Sequence, residues 1–177
     1  MLFSDQKRCA NTKREQIMPK GPPKNNAIRM LEAAKIKYEI LSYSAEFHTA
    51  EEVAELINES PETVYKTLVV LPESGNGKPL LVIIPANKEL NLKALGLAVG
   101  EKKLRMAMKR EAESLTGLLI GGISPLALMQ KKWPVYIYDQ ALTLEKIHVS
   151  AGQRGMNLRL DPKDLISVTG AITVKID

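Results

Sequence analysis

The segment that most restricts how this chain folds is Leu80-Leu81-Val82-Ile83-Ile84, held between Pro79 and Pro85. It has a strand's length, its β-branched residues suit a pleated sheet, and it offers no polar side chain to a solvent face. A strand that is apolar on both sides needs both faces of its sheet covered, so it reads as the centre of a layered domain. It is also far shorter than the roughly 18 apolar residues that mark a membrane span, and no membrane partner is expected.

The flanking sequence supplies the covering layers. With Asn26 as candidate cap, Ala27, Met30, Leu31 and Ala34 form one stripe at helical spacing. Residues 38–43 alternate like a strand. Thr49 followed by Glu52 is a capping-box pattern, opening a helix whose inward side is Val53, Leu56 and Ile57. Ser60-Pro61 starts a helical turn that leads into a strand over 66–71. Asn91 caps a helix that buries Leu92, Leu95 and Val99 and ends at Gly100. Further strands are expected over 103–107, 118–120, 135–138, 146–150, 156–160 and 172–176, with helices over 109–115 and after Asp161-Pro162. Helices and strands mix without strict βαβ alternation, which makes the class α+β, a single domain built on a central mixed sheet surrounded by helices. Met18-Pro19-Lys20-Gly21-Pro22-Pro23 interrupts regular structure and divides a flexible basic tail, 1–24, from a body spanning 25–177.

Charge and chemistry narrow the function by exclusion. The net charge is +5, but residues 1–24 hold six basic side chains against two acidic ones, so the body is almost neutral and charge alone argues weakly for a nucleic-acid partner. Cys9 is the only cysteine, which rules out an intrachain disulfide, and no apolar signal core follows the basic N-terminal residues. A cytoplasmic location is expected. His48 and His148 belong to no metal-ligand spacing, and the chain lacks a G-x-S-x-G elbow, a phosphate-binding P-loop and a dinucleotide fingerprint. Neither metal nor cofactor is expected.

What remains is the Gly-Gly step, which reads either as an ordinary tight turn or as a backbone site. Gly121-Gly122-Ile123-Ser124-Pro125 brings bare main chain to the end of the expected strand 118–120, where amides of Gly121 and Gly122 can turn toward one oxygen. Ser124 before Pro125 suits a helix cap, and such a cap beside Gly121 would attract an anionic oxygen. Lys66 is the suspicious charge. If a strand starts there, its face continues as Leu68 and Val70, and the ammonium is either met by an anion or snorkels to solvent. Arg154, between Gly152 and Gly155, is placed to be exposed and to meet phosphate.

Three ordered segments, Val64-Tyr65-Lys66-Thr67-Leu68-Val69-Val70, Thr116-Gly117-Leu118-Leu119-Ile120-Gly121-Gly122-Ile123-Ser124-Pro125 and Val149-Ser150-Ala151-Gly152-Gln153-Arg154-Gly155, resemble the YbaK/EbsC family. That family is similar to the editing domain of bacterial prolyl-tRNA synthetase and comprises free-standing aminoacyl-tRNA deacylases. The resemblance runs from about Asn25 to the C-terminus and implies a partly barrel-like sheet. It also implies catalysis by Lys66, Gly121 and Gly122, with substrate contacts from Tyr43, Thr67, Ser124, Ser150, Arg154 and Asn157. The implied substrate is a mischarged tRNA, Cys-tRNA(Pro), cleaved by attack of its own thiol on the ester, with prolyl-tRNA synthetase as the suggested docking partner. Two alternatives stay open: another mischarged tRNA such as Ala-tRNA(Pro), cleaved by water, or a catalytically silent tRNA-binding module. The chain departs from its relatives at Asn157, where several carry aspartate, and at Ala127, where many have glycine, a change expected to narrow the pocket.

Overall fold

A computed structural model describes residues 24–176. The basic tail expected over 1–24 therefore lies, Lys24 apart, outside the described residues. The elements in chain order are α1 (Asn26–Ala33), β1 (Glu39–Ser42), α2 (Ala50–Leu56), β2 (Tyr65–Pro72), β3 (Leu80–Pro85), α3 (Leu92–Val99), β4 (Leu104–Met106), α4 (Lys109–Thr116), β5 (Val135–Tyr138), β6 (Ile147–Ser150), β7 (Met156–Leu160), α5 (Pro162–Thr169) and β8 (Ile172–Val174). Short 3-10 segments cover Leu126–Lys131 and Asp139–Thr143. Among the described residues no helix is long and apolar enough to cross a membrane.

The strands form a five-stranded mixed sheet, in the order β4-β2-β3-β5-β8, and a three-stranded antiparallel sheet, β1-β7-β6. As its sequence requires, β3 is central and all its residues are buried. It pairs antiparallel with β2, setting Lys66 opposite Ile84, and parallel with β5. Alternation then feeds two cores: Leu81 and Ile83 join Ile28, Leu126, Leu158 and Leu160 on one side, while Leu80, Val82 and Ile84 pack with Leu95 on the other. The sheets meet where Val64 bridges His148, whose amide donates to the Thr63 carbonyl at 2.8 Å. This junction brings the start of β2 beside the ends of β6 and β7.

Two local departures from expectation have clear causes. The cap of α1 is Asn25 rather than Asn26, because its side chain accepts from the Ile28 amide at 3.0 Å while its Nδ2 donates to the Ala151 carbonyl at 2.7 Å, tying the helix to the turn after β6. The expected strand over 118–120 is absent, since side chains capture the backbone groups a strand would need. Thr116 Oγ1 accepts from the Leu118 amide at 3.1 Å, and Glu113 Oε1 accepts from the Ile120 amide at 3.0 Å. The segment instead winds through a tight turn into Gly121.

The junction also carries a titratable group. His148 is 1% exposed, neither ring nitrogen has a hydrogen-bond partner among the described residues, and Glu59 Oε1 is 3.5 Å from Nε2, too far for a good bond. Burial lowers its pKa first of all, and Arg159 adds to this, against the opposing pull of Glu59, the Thr63 contact and Glu39. A histidine buried neutral contributes stability that is complete above the unfolded-state value of about 6.5 and is lost as pH falls through the lower folded-state value. Denaturant midpoints measured from pH 8 to pH 5 are expected to fall along this limb, and His148→Leu to flatten it.

Candidate functional site

A cavity of 330 Å³ opens at the junction of the sheets, walled by β2, the β1–α2 connection, the turn at Gly121 and the ends of β6 and β7. Tyr43, Lys66, Thr67, Gly121, Ser150 and Asn157 all line it, so residues from all three sequence motifs converge on one space. Its floor and walls are largely apolar, with Val53, Val64, Val69, Ala112 and Ile123 among them.

Lys66 is the second residue of β2, and its side chain is 26% exposed. Its Nζ donates to the Ala86 carbonyl at 2.6 Å and stands 3.8 Å from Glu51 Oε1. The ammonium is thus neither buried alone nor released to solvent. A carbonyl one strand away anchors it at the cavity, with a carboxylate nearby. Opposite, Asn157 is 4% exposed and its Oδ1 accepts from the Tyr43 hydroxyl at 3.1 Å. Burial raises the Tyr43 pKa, so this phenol stays a donor at neutral pH. Ser150 Oγ accepts from the Gly152 amide at 3.3 Å, which orients the hydroxyl beside the turn.

The two glycines divide in role. Gly121 lines the cavity at φ +89°, and its N–H has no hydrogen-bond partner among the described residues. That conformation suits glycine and leaves its amide unpaired at a residue that lines the cavity. Gly122 lies outside the lining, and its N–H donates to the Leu119 carbonyl at 2.8 Å. It is needed for close approach: a Cβ there would stand 2.9 Å from the Gln153 carbonyl carbon and 3.0 Å from the Arg154 nitrogen. Gly122 thus lets the 121–122 turn lie flat against the 152–155 turn. The expected pair of amide donors becomes one amide and one packing glycine.

Ser124 is not brought to the cavity. It is fully buried, its Oγ finds no partner, and it caps nothing, because the segment after it is 3-10 with Pro125 at its start. Ala127 likewise does not narrow the pocket, since it sits outside the lining, and a Cβ on Gly152 would come within 2.7 Å of its own Cβ. Arg154 is not among the lining residues, but it packs beside Gly121 and Phe47, which are. Its Nε donates to the Ile120 carbonyl at 2.7 Å and its guanidinium carbon lies 5.3 Å from the Phe47 ring centroid, with Lys109 Nζ at 5.8 Å from the same ring.

Lining residues that the sequence did not assign to the site include Phe47, His48, Glu51 and Met106. Phe47 is 52% exposed, an unusual position for an aromatic ring in a chain with two phenylalanines, and that scarcity was the available signal. His48 tilts against Tyr43 with ring centroids 6.3 Å apart, its Nε2 buried without a partner. Among the described residues no cluster of His, Cys, Asp and Glu is arranged to hold a metal ion. What the site can do chemically is bind an ester carbonyl at an unpaired amide, place a cation near it, and enclose a small acyl group among apolar walls.

The chain is similar to known proteins in both sequence and fold. A family model described as an aminoacyl-tRNA editing domain matches residues 44–168. The chain is 38% identical over 152 residues to an Enterococcus faecalis protein provisionally named Cys-tRNA(Pro)/Cys-tRNA(Cys) deacylase EbsC, covering 85% of this chain and 91% of that one. It is 25% identical over 114 residues to the proline–tRNA ligase of Thermosipho melanesiensis, covering 64% of this chain and only 19% of the ligase. A crystal structure titled as a provisional trans-editing enzyme for prolyl-tRNA synthetase superposes with a TM-score of 0.70 at 26% identity, covering 89% of this chain and 99% of that one.

Proposed function

The chain belongs to the aminoacyl-tRNA editing domain family, and from that premise we propose that it is a free-standing deacylase that cleaves Cys-tRNA(Pro). The single observation that carries this reading is the convergence of Lys66 and the unpaired Gly121 amide on one small cavity. An aminoacyl ester is already activated, so positioning and stabilisation of the tetrahedral oxygen are the main requirements. The Gly121 amide holds the carbonyl oxygen, and Lys66 supports the developing charge near the terminal ribose. The substrate's thiol loses its proton and its sulfur attacks the carbonyl carbon. The ester C–O bond breaks, and the tRNA 3′-oxygen leaves with a proton, giving a thiolactone and free tRNA. Tyr43, Thr67, Ser150 and Asn157 line the acyl pocket, whose volume is near the lower end of the roughly 300–1,000 Å³ usual for ligand sites.

Phe47, which lines the cavity, together with Lys109 and Arg154, which lie outside the lining, offers a ring and two cations to the unpaired end of the tRNA, where bases stack and phosphates need partners. The similarity to a segment of proline–tRNA ligase supports proline tRNA as the carrier and the ligase as the partner that delivers it. The test is single-turnover deacylation of Cys-tRNA(Pro), Ala-tRNA(Pro) and Pro-tRNA(Pro). Cys-tRNA(Pro) is expected to disappear fastest and to yield a thiolactone. Equal cleavage of Ala-tRNA(Pro) would replace thiol attack with water, and binding of all three without cleavage would leave a silent tRNA-binding module.

A further inference from the structure

We propose that Glu51 recognises the free α-ammonium group of the aminoacyl ester and thereby excludes N-acylated tRNA, an inference that rests on the deacylase reading above. The cavity is sparsely charged. Among the described residues its lining holds one ammonium, Lys66, and one carboxylate, Glu51. Asn157, deep in the pocket, is uncharged and engaged with Tyr43.

Glu51 lies in the first turn of α2 but is not occupied in capping it. The neighbouring Glu52 completes the capping box, its Oε2 accepting from the Thr49 amide at 2.7 Å, so Glu51 is free of that duty. Among the described residues its one ion-pair partner is Lys66 at 3.8 Å, beyond hydrogen-bond range, and Lys66 directs its short 2.6 Å bond to Ala86 instead. The carboxylate is 51% exposed and lines the cavity with lone pairs to spare.

An aminoacyl ester presents opposite charges at adjacent carbons: a protonated amine on Cα and, in the transition state, an oxyanion on the carbonyl carbon. A pocket with one carboxylate and one cation-plus-amide pair matches that order. Peptidyl-tRNA and other N-acylated tRNAs carry the same ester without the ammonium, and their added acyl group would leave the Glu51 carboxylate without its counter-charge.

The experiment compares Cys-tRNA(Pro) with N-acetyl-Cys-tRNA(Pro) on wild type and Glu51→Gln. Acetylation alters the intrinsic reactivity of the ester, so the quantity read is the change between the two proteins in the kcat/KM ratio of the two substrates. Glu51→Gln is expected to reduce the preference for the free amine about 10- to 100-fold, the scale of one charge-assisted hydrogen bond. An equal loss on both substrates would assign Glu51 to holding Lys66 and overturn the proposal, as would an unchanged ratio.

A second arm needs no turnover. Calorimetric binding of a cysteinyl-adenosine amide, with free or acetylated amine, should favour the free amine in wild type and lose that preference in Glu51→Gln. If wild type cleaves no ester yet shows this binding preference, the deacylase reading fails and the Glu51 assignment stands. If it cleaves the ester but binds both analogues alike, the Glu51 assignment fails and the deacylase reading stands.

Discussion

Lys66→Ala is expected to slow single-turnover deacylation of Cys-tRNA(Pro) about 100- to 1,000-fold, the usual cost of removing one electrostatic donor from a transition state. The domain should stay folded. The truncation removes one hydrogen bond, Nζ to the Ala86 carbonyl at 2.6 Å, and a bond from a charged donor is worth about 1.5 to 3 kcal/mol against a typical total stability of about 5 to 15 kcal/mol. Thermal melts should therefore show a lowered but cooperative transition. Lys66→Arg preserves charge yet replaces a compact ammonium with a planar fork too long for the same carbonyl anchor, and it too should lose most of the rate. Full activity in either variant would remove the lysine from the mechanism.

Much of the fold was legible because its punctuation is local. The capping box at Thr49 and Glu52, the left-handed Gly100 that ends α3, and Asp161-Pro162 opening α5 each act within one helical turn, and each stands where the sequence places it. The central strand was legible for a different reason, since an apolar run without a polar face admits few alternatives. What local pattern could not carry was competition between side chain and backbone. Residues 118–120 have strand composition, but Glu113 lies seven residues upstream of the Ile120 amide it captures, and no periodicity announces that reach. The division into two sheets was equally hidden, because it depends on which strands pair and not on which segments are strands.

The site was legible in its motifs and illegible in its charges. Tyr43, Lys66, Thr67, Gly121, Ser150 and Asn157 line the cavity. Ser124 does not, because the proline after it starts a 3-10 segment that draws the serine into the core. Glu51 was overlooked because a first-turn glutamate is unremarkable in sequence, and only the register of α2 against β2 sets its carboxylate near Lys66. Phe47 was overlooked because a ring in a loop has no periodicity to place it.

Gly122→Ala is expected to damage both stability and catalysis, although Gly122 offers no amide to the substrate. Its φ lies outside the left-handed range, so alanine meets no torsional penalty there. The obstacle is contact. The new Cβ would stand 2.9 Å from the Gln153 carbonyl carbon, 3.0 Å from the Arg154 nitrogen and 3.0 Å from the Gln153 Cα, all of them backbone, so no flexible side chain can yield. Overpacking of this kind costs about 1 to 3 kcal/mol and is relieved only by parting the two turns. That movement carries Gly121 away from Ser150 and Asn157, and a shift of about 1 Å at a reacting centre can cost on the order of 100-fold in rate. Gly170→Ala is the matched control. Its φ of +65° imposes strain, but no atom lies within 4 Å of the added Cβ, and neither Gly170 nor any residue of α5 lines the cavity. It should lower the melting temperature with kcat preserved, whereas Gly122→Ala should lower both. If kcat survives in Gly122→Ala, the contact between the two turns does not set the position of the Gly121 amide.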